Sequence, residues 1–356
     1  MDDLRAQFPV LEHLAYLNAG SNGPVPQRAL DAVSESLRWQ ATEGRGDKAH
    51  FEENAARIDH LRARIAALLG CESAELAVTG STTDGVNAVL NALDLGRGDD
   101  VLTSDEEHPG VLAPLAALRD RRGVNVRVVP FAELAGEVRP ETKVVACSHV
   151  SWKTGALVDS AALGATDALV LLDGAQGLGA VPTRAADLGC DFYAASGQKW
   201  LCGPNGIGYL YAREELAGSL PAPWPNYGVL ADSSRPFDLP LHADARRFSI
   251  GFPAPHHVDW AIAALDVLEG AGLDAVHARA RELAARLAGQ LDDRASPRGD
   301  STIVSWRDPD PEATVARLRG EGFVVRNLPR TPFVRASTGA WNSEDEIDRL
   351  AESATR

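Results

Sequence analysis

Residues 168–212 read ALVLLDGAQGLGAVPTRAADLGCDFYAASGQKWLCGPNGIGYLYA. Three runs in this stretch, "ALVLLDGAQ" from residue 168, "DFYAAS" from 191 and "GIGYLYA" from 206, are continuously apolar over the length of a strand. That is the signature of a sheet buried on both faces. The first run ends in Asp173, an acid whose burial costs several kcal/mol unless it meets a cation or a donor. Twenty-six positions later "SGQKW" closes the second run and brings Lys199 to the same edge of the sheet. Lysine is scarce in this chain, with only four among 35 basic residues, so its presence between small residues and glycines asks for a reason.

The same rhythm extends upstream. "LAVTG" at 76, "DVLTSD" at 100, "NVRVVPF" at 125 and "KVVACSHV" at 143 bring the candidate strands to seven, separated by segments of helical period. Strands alternating with helices predict parallel βαβ crossovers with helices on both faces. "PQRALDAVSESLRWQAT" and "FEENAARIDHLRARIAALLG" read as amphipathic helices before the first strand, opened by Pro26 and closed by Gly70. Beyond about residue 213 a Pro-rich irregular stretch leads into two long helices near 255–270 and 272–293. There follow a strand at "STIVSW", a helix over 311–320, strands at "GFVVR" and "PFVRAS", and a last helix "SEDEIDRLAES". The expected class is α/β: a three-layer αβα large domain over 16–240 with a mostly parallel seven-stranded sheet, and a smaller C-terminal α/β domain formed by 1–15 and 241–356.

Composition narrows the partners. The chain has 356 residues, 37.8 kDa, 45% hydrophobic and 24% charged residues, a formal charge of −15 and a pI near 5.0. Such a surface repels a phosphate backbone, and the arginines are dispersed, so nucleic acid is not an expected partner. Apolar runs fall short of the roughly 18 to 20 residues that span a bilayer, and "MDDLRAQFPVLEHLAYLNAG" lacks a secretory pattern, so the expected location is cytoplasmic and away from membranes. Cys71, Cys147, Cys190 and Cys202 lack paired short spacing, which argues against a metal site and against a disulfide framework.

Ligands of such sheets bind at the carboxyl ends of the strands. Asp173 and Lys199, both at such ends, admit two readings. One is an ion pair. The other is a Schiff-base lysine with an acid that keeps a pyridine nitrogen protonated, the pair that pyridoxal phosphate needs. The second reading demands further parts, and each has a candidate. "LAVTGSTTDGVN" runs a strand into Gly80 and sets Ser81, Thr82 and Thr83 on the first turn of a helix, where N–H groups and the dipole favour a phosphate; an ordinary N-cap is the alternative. Ser196 and Gln198 flank the lysine and can reach the same phosphate. His108 in "EEHPGVL" offers a ring to stack on a pyridine, or is a turn residue before proline. Arg335 in "PFVRAS" can hold a carboxylate bidentately, or be a surface arginine.

Seven motifs in order, "YLNAGSNGPVP", "GSTTDGVN", "EEHPGVL", "SHVSWKTGALVD", "DGAQGLGA", "SGQKWLCGPNGIGYLY" and "VRASTGAWNSEDEIDRL", resemble the fold-type I pyridoxal phosphate enzymes of the aminotransferase class V group. That group includes cysteine desulfurases, selenocysteine lyases, kynureninase and isopenicillin N epimerase-like proteins. The resemblance implies Lys199 as the residue bonded to the cofactor, Asp173 at its ring nitrogen, His108 stacked on the ring and Gln176 near its phenolic oxygen. It also implies Ser81, Thr82, Thr83, Ser196 and Gln198 around the phosphate, and Arg335, Trp152 and Asn18 on the side of an amino-acid substrate. A homodimer with the active site at the subunit interface is implied as well.

Four departures bear on the reaction. Desulfurases carry a nucleophilic cysteine shortly before the carboxylate-binding arginine, whereas "GFVVRNLPRTPFVRAS" has none and no cysteine follows Cys202. Trp152 stands where desulfurases have asparagine, as in the epimerase-like and C–S lyase-like branch. Gln198 replaces a histidine before the lysine, and Phe252 replaces a threonine whose hydroxyl reaches the neighbouring subunit's phosphate. All candidate reactions begin with removal of the α-proton by the freed lysine. The expectation is β-elimination at a cysteine-derived substrate, with epimerisation or transamination as alternatives and a non-catalytic pyridoxal-binding module as the reading of another class.

Overall fold

The computed structural model describes residues 1–356. Its central sheet contains β1 (Leu76–Thr79), β2 (Asp100–Ser104), β3 (Asn125–Val129), β4 (Thr142–Ser148), β5 (Leu169–Asp173), β6 (Phe192–Ser196) and β7 (Gly208–Ala212). These are the seven runs singled out in the sequence, and they lie in the order β1-β7-β6-β5-β4-β2-β3. Pairing is parallel from β6 to β3, while β7 runs antiparallel to both β6 and β1. The reason is the link: residues 197–207 are too few for a helical crossover, so the chain can only turn back.

Alternate residues serve opposite faces. Leu171, Phe192, Ala194 and Leu210 pack with Val86, Val89 and Leu90 of α3 (Thr82–Ala92). Leu172, Tyr193, Ala195 and Tyr209 pack with Leu61 and Ile65 of α2 (Lys48–Leu69) and with Leu265 and Leu268 of α5 (Pro255–Gly270). Each fully buried leucine, valine, isoleucine or phenylalanine among them contributes about 1.5–3 kcal/mol, which is why the strands are apolar throughout. The helix α1 (Gln27–Glu43) lies along α5 on this outer layer. Another helix, α4 (Pro109–Arg122), follows β2.

A second, three-stranded antiparallel sheet orders β9 (Arg326–Asn327), β10 (Phe333–Ser337) and β8 (Ile303–Arg307). The helices α6 (Leu273–Leu291), α7 (Pro311–Gly320) and α8 (Glu344–Ala354) enclose its core of Leu283, Leu287, Val304, Trp306, Val334, Ile347 and Leu350. The N-terminal segment joins it: Ala15–Tyr16 pairs with Phe323–Val324, and Leu17 is part of that core. No helix is long and apolar enough to cross a membrane.

The ends of β1, β2, β4, β5 and β6 lie at one edge of the large sheet and carry Thr79, Ser104, Ser148, Asp173 and Ser196, all buried. Buried polar ends on otherwise apolar strands mark that edge as the site. Gly208 is what lets the start of α3 approach it, because a Cβ there would stand 2.7 Å from the backbone of Ser81.

Candidate active site

A cavity of about 360 Å³ opens at this edge, between the large sheet and β9–β10. Ser81, Thr82, Thr83, His108, Trp152, Asp173, Gln176, Ser196, Gln198, Lys199 and Arg335 all line it. Asn18 does not. Its Oδ1 accepts a hydrogen bond from Ser21 Oγ at 2.8 Å, and Ser21 is the residue that reaches the cavity.

The turn after β6 delivers Lys199. Gly203 N–H donates to Gly197 O and Gly197 N–H to Ile207 O, both at 2.9 Å, while Gly23 N–H holds Gln198 O at 2.8 Å. Cys202 takes the left-handed conformation, with φ of 55°. Lys199 is partly buried and has no hydrogen-bond or ion-pair partner; desolvation pushes its ammonium down to about 8, Asp173 opposes this, and Arg335 and Arg326 add to it. The Asp173 carboxylate accepts only Ala175 N–H, at 2.9 Å, and burial raises it above the ordinary range against the pull of Lys199. The two therefore sense each other across the cavity without closing an ion pair, which removes the simple structural reading.

His108 is the N-cap of α4, where its Nδ1 accepts Gly110 N–H at 3.0 Å. Burial and the nearby cations Lys199, Arg326 and Arg335 hold its ring near 4, so it is neutral at physiological pH. Trp152 meets it edge-on, with ring centres 5.2 Å apart at 87°. Ser81 caps α3 by accepting Asp84 N–H at 3.1 Å. Thr82 N–H donates to Ser196 Oγ at 3.2 Å, and the two hydroxyls lie 2.6 Å apart, so the helix start and the lysine-bearing turn are tied together. Gln176 donates to Gly20 O at 2.8 Å and accepts from Trp200 Nε1 at 3.0 Å, which fixes its amide. Gln198 Oε1 is buried without a partner.

Arg335 is 1% exposed and meets no carboxylate. Its Nη1 donates to Trp152 O at 2.9 Å and its Nη2 to Ser21 Oγ at 3.4 Å, while Nε has no partner. Burial and the adjacent Arg326 push its guanidinium down to about 9. Arg326, half-buried and cross-strand from Arg335, donates to Ser21 Oγ at 3.1 Å. Two guanidinium groups without an acid leave positive charge uncompensated on this side of the cavity. Neither Arg326 nor Ser21 was singled out from sequence. Arg326 closes the run "GFVVR" nine positions before Arg335, and only the β9–β10 register, which sequence alone does not set, makes them neighbours.

The cavity has no cysteine in its wall. Burial pushes the thiols of Cys71 and Cys190 up to about 12. Phe252 lies away from the cavity, half-exposed against Tyr227 at 5.7 Å. No group of three His, Cys, Asp or Glu side chains is placed to hold a metal ion.

Comparison with known proteins shows the family of this chain. Residues 15–302 match the aminotransferase class-V family model. The probable cysteine desulfurase 2 of Mycobacterium leprae is 31% identical over 99% of this chain and 95% of its own length. A mutant of C-DES with glycine covalently linked to its pyridoxal phosphate superposes with a TM-score of 0.92, at 25% identity over 98% of both chains. The cystine C–S lyase C-DES in complex with its product cysteine persulfide gives 0.90, at 25% identity over 97% of this chain and 98% of that one. The chain belongs to the aminotransferase class V family and is, with that family, a pyridoxal phosphate enzyme.

Proposed function

We propose that this protein is a C–S lyase that uses pyridoxal phosphate to eliminate the β-substituent of a cysteine-derived amino acid. The observation that carries the reading is the partnerless, partly buried Lys199 in one cavity with the buried Asp173 and with two guanidinium groups that meet no acid. The residues present fit the cofactor: an amine free to react, an acid, a ring-stacking group and a helix start at one edge of the sheet. When bound there, pyridoxal phosphate supplies an electron sink that acidifies the substrate's α-carbon.

Each residue has a part that follows from its surroundings. Lys199 Nζ, held near 8, loses its proton easily near neutral pH, so it would bond to the cofactor when that is bound and, once free, would take the proton from the substrate's α-carbon. Asp173 holds a proton at the ring nitrogen. Neutral His108 packs a face without adding charge. The start of α3, with Ser81, Thr82 and Thr83, and Ser196 and Gln198 from the turn, bind phosphate. Arg335, assisted by Arg326 and Ser21, orients the substrate carboxylate, and Trp152 walls the substrate side. The similarity to the cystine C–S lyase C-DES, seen in complex with its product cysteine persulfide, supports a sulfur leaving group. With no cysteine in the cavity wall, the sulfur leaves as a small molecule instead of passing to a protein thiol.

The site completes itself in a homodimer on this reading, and the location is cytoplasmic. Trp224, Tyr227, Phe237, Ile250 and Phe252, all between 224 and 252, are exposed, and Tyr227 and Phe252 lie against each other. The test is incubation of the yellow holoenzyme with cystine and other cysteine S-conjugates. Equal amounts of pyruvate and ammonia are expected; solvent deuterium at the α-carbon of recovered substrate without pyruvate would instead make it an epimerase. Sedimentation at micromolar concentration gives a dimer on this account, and a monomer contradicts the shared site.

A further inference from the structure

Glu107 sits between the end of β2 and the start of α4, is 4% exposed, and is used by none of the roles above. One carboxyl oxygen accepts from Ser104 Oγ at 2.5 Å and the other from Ser148 Oγ at 2.6 Å. Ser104 ends β2 and Ser148 ends β4, so the carboxyl bridges two adjacent strands at the edge that carries the cavity. Ser148 is in register with Asp173 on the next strand. No lysine, arginine or histidine pairs with Glu107. The titratable groups that face it are Asp173 on β5, Cys147 on β4 and, next in the chain, the neutral His108. Holding two serine hydroxyls needs only an amide; an acid buried beside another acid is a costly way to do it.

We propose that Glu107 is a positioning residue for the cofactor: its carboxylate, fixed by two serines beside Asp173, makes Asp173 retain more tightly the proton that it shares with the ring nitrogen. The inference rests on the reading of the cavity given above. Like charges in one low-dielectric site raise each other's proton affinity. Burial, reinforced by Asp173, lifts the Glu107 carboxyl to about 7, so the added charge is present above neutral pH and absent below it. Glu107 thus gives the ring nitrogen its firmest proton at the pH where Lys199 is becoming a base.

The isosteric Glu107→Gln tests this in two measurements, with Glu107→Asp as the conservative rescue. The first uses the cofactor-free protein. A carboxyl whose proton affinity is higher folded than unfolded costs stability as pH rises from about 4.5 to about 7. Urea unfolding of E107Q relative to wild type is therefore expected to gain on the order of a hundredfold in the folding equilibrium across that window. The second uses the holoenzyme loaded with ring-15N pyridoxal phosphate. In E107Q the nitrogen is expected to lose its proton about one pH unit lower than in wild type, and E107D is expected to restore most of the difference. The proposal is overturned if wild type binds the cofactor and the ring-nitrogen titration of E107Q superimposes on that of wild type, whatever the urea profile does, or if E107Q is uniformly less stable with no change in either pH profile. A wild-type protein that binds no cofactor overturns the reading of the cavity as well, and that outcome is distinct from either.

Discussion

Asp100, at the start of β2, and Asp173, at the end of β5, are buried acids at opposite edges of one sheet. Asp100 is surrounded by donors: Arg127 Nε and Nη2 at 2.9–3.0 Å, Thr142 Oγ1 at 2.9 Å and Asn125 Nδ2 at 2.8 Å. These outweigh burial and hold its carboxyl below the usual range. Asp173 has one backbone N–H, a lysine that stops short of it, and a raised proton affinity. At one edge each charge has its partner inside the chain. At the other the partners are missing on both sides, and the chain carries uncompensated Lys199, Asp173, Arg326 and Arg335 around an open cavity. The difference separates a charge that serves the fold from one that awaits a ligand.

Substitutions break this comparison in opposite directions. The largest effect is on turnover: Lys199→Met is expected to lower it by about four orders of magnitude or more, the scale of a lost base and nucleophile together, measured as pyruvate release. The same change stabilises the cofactor-free protein. The folded state disfavours the Lys199 ammonium, so below about pH 8 the native lysine costs roughly 3 kcal/mol, a cost that fades as pH rises towards the ordinary lysine value. Urea unfolding at pH 7 and pH 10.5 should show that gain shrinking.

At the other edge, Asp100→Ala leaves Arg127 only its longer ion pair with Glu137 at 3.9 Å and strands Thr142 and Asn125, and is expected to cost about 3 kcal/mol in urea unfolding, while turnover per folded molecule is unchanged. Its wild-type contribution is present above about pH 4, the unfolded value, and is lost as pH falls through the depressed folded value. Between these two lies Asp173→Asn, expected to reduce turnover by about 10²–10³ with little loss of stability, since it removes a poorly satisfied acid. The smallest effect is that of Arg326→Leu. Half-buried and secondary to Arg335, it is expected to raise KM by about tenfold and to leave kcat nearly unchanged.

Much of this contrast is legible in the sequence because a strand and the residue after it are contiguous. "VLLD", "AASGQK" and "VTGST" each carry the element that places the functional group beside the group itself, so Asp173, Lys199 and Thr82 are found together once seven strands are recognised. What depends on contacts between distant segments was not legible. Arg326 enters the site through the β9–β10 register, Ser21 through a loop anchored by Asn18, and Glu107 through serines on two strands. Asn18 illustrates the limit from the other direction: its motif lies at the site, but its side chain points to Ser21 and not into the cavity. The direction of β7 follows from the length of one turn, a signal that strand composition does not carry.

The central claim is that Lys199 alone among the four lysines bonds to the cofactor. Borohydride reduction of the yellow protein, followed by proteolysis and mass spectrometry, measures it directly. The account predicts a pyridoxyl phosphate adduct on the peptide that contains Lys199 and on no other; an adduct confined to Lys48, Lys143 or Lys153, or none after saturation with cofactor, contradicts it.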